Sequence, residues 1–139
     1  MKIDQQTRSI LENGFGLSEA EISQISPNVI RIIQNMERLK QYKLQAEVVD
    51  STYCSAGIRT GEKFVFSAMP IILLSDESTA APCMRALGIL TPFLNTMADR
   101  IVAGVDPGES IWSTAECMDP GIGNGGLGKV RFRFSAIRS

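Results

Sequence analysis

The chain predicts an α+β fold: N-terminal helices, then a mainly antiparallel sheet with one long, proline-kinked helix packed on a face. Three observations carry this. Before Tyr42 the apolar residues recur at helical spacing. After it they alternate, as in half-buried strands. Between strand-like stretches lies one long run, from about Ala81 to Ala103, in which Cys83, Leu87, Leu90, Leu94, Met97 and Ile101 fall at steps of four and three. At 139 residues the chain is one domain, with a helical segment over 1–41 and an α+β core over 42–139.

Each element has a local cause. Asn13-Gly14-Phe15-Gly16 ends a first short helix, because glycine accepts the left-handed C-terminal conformation. Ser18 and Glu21 form a capping box for the next. Ser26-Pro27 opens a further helix, in which Val29, Ile32, Ile33, Met36 and Leu39 form an apolar stripe. Leu44, Ala46 and Val48 alternate with Gln45, Glu47 and Val49 in a first strand. Lys63-Phe64-Val65-Phe66 reads as a second. Pro70–Leu74 is a short strand or an extended packing segment, and the polar Asp76–Thr79 leads into the long helix. Pro92 lies inside that helix and is expected to kink or divide it. Ile111–Cys117 reads as a strand. Lys129–Ile137 is the clearest strand, with Val130, Phe132, Phe134 and Ala136 on one face and Lys129, Arg131, Arg133 and Ser135 on the other.

Composition removes several functions. There is no histidine, so a Ser-His-Asp or Cys-His mechanism within one chain is excluded. Fourteen Lys and Arg against 15 Asp and Glu argue against broad binding to nucleic acid or an anionic membrane. The longest apolar run, Ala68–Leu74, is too short to span a bilayer, and the first residues do not form a secretory signal. The expected location is therefore the cytoplasm, where Cys54, Cys83 and Cys117 are free thiols.

The candidate sites lie around those thiols and a glycine-rich loop. Gly121–Gly128 contains Gly-x-Gly-x-x-Gly at Gly121, Gly123 and Gly126. A strand follows it rather than a helix, so the dinucleotide-binding reading fails. What survives is a tight connection between strands, or a backbone nest that binds an anion or packs on a ligand, with Gly123, Gly125 and Gly126 at its centre. Cys83 stands at the start of the long helix, where exposed amides and the helix dipole favour a thiolate, yet its register also suits a small core residue. Cys54 and Cys117 end strands. Three converging thiolates suit zinc, copper(I) or an iron–sulfur cluster, with Asp119 or an external group as fourth ligand. Three unrelated thiols are the alternative, since their long spacing carries no ligand signature. The basic row Lys129, Arg131 and Arg133 reads as protection of a strand edge, or as a phosphate-binding face.

From Lys43 to Ser139 the chain resembles a family of small bacterial and archaeal proteins with three cysteines. The matching residues are Cys54, Gly61-Glu62-Lys63-Phe64-Val65, Pro82-Cys83, Asp106-Pro107, and Cys117-Met118-Asp119-Pro120-Gly121 before the glycine-rich stretch. Such proteins look like products of anaerobes, some associated with corrinoid methyltransferases. The resemblance implies that the three thiols form one site. The leading expectation is a small binding or accessory protein that holds a soft metal such as zinc, or a thiol-reactive small ligand. Cys54, Cys83 and Cys117 would be the ligands, with Asp119, Gly123, Gly125 and Gly126 around them. The alternatives are an enzyme with Cys83 as activated thiol, and a structural subunit whose N-terminal helices bind a partner or a second copy.

Overall fold

The computed structural model describes residues 2–109 and 112–139. The expected helix order at the N-terminus is present, in shorter pieces. Helix α1 (Gln5–Ser9) is capped by the Asp4 carboxylate, which accepts from the Thr7 amide at 2.7 Å. It runs into a wider helical turn over Ile10–Gly14, and Gly16 then takes a positive φ of 72°. Helix α2 (Glu19–Ile22) has the full capping box, with the Glu21 amide donating to Ser18 Oγ and the Ser18 amide to Glu21 Oε2. Ser26 caps helix α3 (Pro27–Gln34), and helix α4 covers Met36–Lys40.

The single helix expected from Pro27 to Leu39 is broken at Asn35. Its side-chain amide donates to the Arg31 carbonyl at 2.7 Å, and its φ and ψ of −108° and 14° leave the helical region. A short amide side chain that bonds its own backbone competes in this way with helix continuation. The break divides the apolar stripe. Ile30 and Ile33 join Leu11 and Ile22 in a small N-terminal cluster, while Leu39 enters the main core. Val29, expected on the stripe, is exposed, and Ile30 takes its place. Arg38 fastens α4 to the far helix by donating to the carbonyls of Ile101 and Val102.

Four strands make an antiparallel sheet in the order β2-β1-β4-β3. They are β1 (Tyr42–Thr52), β2 (Lys63–Ser67), β3 (Thr114–Glu116) and β4 (Lys129–Arg138). A bulge between Val48 and Asp50 shifts the register of β1 against β4. Strand β3 is shorter than the expected Ile111–Cys117, and Ile111 lies outside the described residues. The stretch after Pro70 pairs with the outer edge of β2 through Phe66 and Leu73, and the side chains of Ser78 and Thr79 accept from the amides of Val65 and Lys63. The backbone groups of that edge are thereby spent within the chain.

Helix α5 (Met84–Val102) covers the apolar sheet face. Leu90, Leu94, Met97 and Ile101 pack on Leu44, Ala46, Val48, Phe64, Val130 and Phe132. Its start is three residues later than expected, because Cys83 is the extended N-cap residue and not part of the first turn. Pro92 lies inside α5 without dividing it. Pro92 and Gly88 are both exposed, so the carbonyl left without its amide partner faces solvent. No helix among the described residues is long and apolar enough to cross a membrane.

Strand β4 lies between β1 and β3, so its basic row does not guard an edge. The row is interleaved with acids instead. Lys129 pairs with Glu116 at 3.0 Å, Arg131 lies 4.0 Å from Asp50, and Arg133 stands in register with Glu47.

Candidate functional site

One end of the sheet gathers Cys54, Cys83, Cys117 and Asp119. Strand β1 ends there, and Tyr53 turns the chain with a φ of 54°, placing Cys54 above the core. Strand β3 ends there with Cys117, whose amide donates to the Val130 carbonyl at 2.9 Å and whose Sγ accepts from the Val130 amide at 3.4 Å. Helix α5 begins there, at Cys83. The three thiols line one pocket of about 30 Å³, together with Ser55, Ile58, Arg85, Asp119 and Val130. All three cysteines are free, half-buried and packed on the margin of the main core. They are therefore both pocket wall and core rim.

The pocket is small. About 30 Å³ admits one or two water-sized groups, not a whole organic molecule. Beside it lies a wider cleft of about 430 Å³, lined by Ser55, Arg85, Met118, Asp119, Gly125 and Gly126 among others. Ser55, Arg85 and Asp119 belong to both walls. Gly125 and Gly126 line the wider cleft but not the cysteine pocket, and Gly123 lines neither cavity.

Asp119 organises the loop. Its Oδ1 accepts from the amides of Gly121 and Leu127, and its Oδ2 from that of Gly128, each at 2.9 Å. The Gly121 amide above all, with those of Leu127 and Gly128 and the charge of Arg85, holds this carboxyl below its ordinary value of 3.8, against the opposing effect of desolvation. The three amides that converge here belong to Gly121, Leu127 and Gly128, not to the expected Gly123, Gly125 and Gly126, and the anion they hold is the chain's own. Both Asp119 oxygens are turned to the loop, so this carboxylate is not presented as a fourth metal ligand. Among the described residues no group of three or more His, Cys, Asp or Glu side chains is placed to hold a metal ion.

The glycines of this loop act through backbone shape and close approach. Gly121, Gly123 and Gly125 have φ near 90°. Gly128 lies against the Tyr53–Cys54 turn, where an added Cβ would stand 2.7 Å from the Tyr53 carbonyl carbon and 2.9 Å from Cys54 Cα. Gly128→Ala is therefore expected to cost about 1–3 kcal/mol, as overpacking does. Thermal unfolding measures that loss, and faster alkylation of Cys54 would show that the turn has been pushed aside. An unchanged melting temperature with unchanged alkylation would contradict the close approach.

No family model, curated protein or solved structure matches the chain in comparison. The site is read from its own residues. Arg85 is the functional candidate that sequence reasoning missed. Its signal was available, two residues after Cys83 on the first turn of the long helix, but residue spacing along a helix does not show which side chains border a cavity.

Proposed function

We propose that this protein is a small binding protein whose pocket of Cys54, Cys83 and Cys117 takes a soft or thiol-reactive ligand. The observation that carries the reading is that three free cysteines, from three separate segments, line one small pocket. Sulfur is polarizable, and thiols on one wall can bond together to a soft centre that hard oxygen donors bind poorly. The same thiols would serve a soft metal if their side chains turned toward a common point, and the family resemblance through the three cysteines points to the same place.

Phenylarsine oxide tests the reading. Its trivalent arsenic condenses with two thiols, forming two S–As bonds and releasing the oxygen with both thiol protons as water. One arsenical per chain, seen by native mass spectrometry and lost on Cys→Ser substitution at the pocket, is the expected outcome. Absence of a stable adduct while all three thiols react independently would overturn the proposal. A zinc titration of the reduced protein separates the two forms: stoichiometric zinc with thiol protection assigns a metal, and the arsenical adduct without zinc assigns a small molecule.

A second reading has one observation behind it. Cys83 occupies the N-cap of a 19-residue helix, and its side chain makes no capping hydrogen bond. An enzyme using Cys83 as nucleophile predicts that this thiol alone is labelled at low reagent, and equal labelling of all three removes that reading.

A further inference from the structure

We infer that the ligand of this site is anionic: its thiol-reactive atom enters the small pocket, and an oxyanion group such as a carboxylate pairs with Arg85 in the adjoining cleft. The inference rests on the proposed thiol site and adds the class of molecule to it.

The geometry has three parts. The small pocket, at about 30 Å³, accepts only the reacting end of a molecule. The cleft of about 430 Å³ beside it has the size of an ordinary small-ligand site and takes the remainder. Arg85 lines both, and so stands where the two portions of one molecule would meet.

Charge selects the remainder. Among the described residues, Arg85 is exposed and enters neither a hydrogen bond nor an ion pair. The other charged residue bordering the two cavities is Asp119, and its oxygens accept three amide hydrogens within the loop. Lys129, which begins the neighbouring strand, is paired with Glu116. The charge of Arg85 also acts on Asp119, but its N–H donors make no hydrogen bond and are left for a ligand, and its planar fork matches an oxyanion in two parallel hydrogen bonds.

Two nearly isosteric alkylating agents isolate the effect. Iodoacetate and iodoacetamide both lose iodide to an attacking thiolate, forming one S–C bond, and the thiol proton passes to buffer. They differ in carrying a carboxylate or a neutral amide. The experiment measures the ratio of their rates at each cysteine of the folded protein by mass spectrometry. The expected ratio at the pocket thiols falls roughly threefold in Arg85→Gln, in line with a partly exposed charge pair; any change in thiolate fraction acts on both reagents alike and cancels in the ratio. Arg85→Lys restores part of it, since the charge returns without the fork. Lys40→Gln, outside both cavities, leaves it unchanged. Added salt lowers the wild-type ratio. An equal ratio in wild type and Arg85→Gln overturns the inference, even where the arsenical adduct forms and the thiol site stands. Failure of the arsenical adduct removes the thiol site itself. Failure of the folded protein to react with either reagent overturns both.

Discussion

Replacing Phe132 with alanine is expected to cost about 3–5 kcal/mol of folding stability, read from urea denaturation. Phe132 is fully buried on β4, an inner strand of the sheet, and its ring lies 5.9 Å from that of Phe64. Truncation leaves a void between sheet and α5 that neither rigid element fills, so lost transfer energy and lost packing add. Two residues along the same strand, Phe134 is partly exposed and stacks on Phe93 at 4.8 Å. Phe134→Ala is expected to cost about 1–2 kcal/mol, because part of the ring is already wet and less contact is lost. Equal losses at the two positions would contradict the coverage of this face by α5.

The second large effect is expected at Asp119, and it is local. Asp119→Asn replaces one acceptor oxygen by an NH₂ group, so that a donor faces a backbone donor in a cage of three amides. Amide hydrogen exchange at Gly121, Leu127 and Gly128 should rise by roughly tenfold or more, while the sheet keeps its protection. Unchanged exchange at all three amides would remove Asp119 as the organiser of the loop. The same contact gives a pH signature. The folded-state carboxyl is held below 3.8, so its contribution is complete above that value and is lost as pH falls through the lower folded value. Loop protection should therefore persist through mild acid and fail below pH 3.8. The Glu21 and Asp4 carboxyls are lowered by the Ser18 and Thr7 amides and follow the same sign, so the N-terminal caps weaken in the same acid range.

Much of this fold is legible in short stretches of sequence. The alternation in Lys129–Ile137 names the buried face of β4, because successive side chains leave a strand on opposite sides. Ser18, Glu21 and Ser26 mark helix starts, since a hydroxyl or carboxylate near an unpaired amide bonds it wherever the rest of the chain lies. The break at Asn35 was hidden by the apolar period that runs through it. It follows from one side-chain hydrogen bond to Arg31, against which the helical pattern holds no local signal.

The candidate site divides in the same way. Residue type and neighbours name Cys54, Cys83, Cys117, Asp119 and the glycine-rich loop as candidates, while a single site for the three thiols is implied by the family resemblance. A positive φ, a strand end and a helix start are local events, settled by sterics and hydrogen bonds within a few residues. The meeting of the three thiols with Arg85, and the turning of Asp119 into its own loop, arise from the sheet order β2-β1-β4-β3 and from α5 beginning at the end where β1 and β3 finish. Strand order and register are set by which apolar faces bury together across the whole chain, and no periodicity within a segment carries that information.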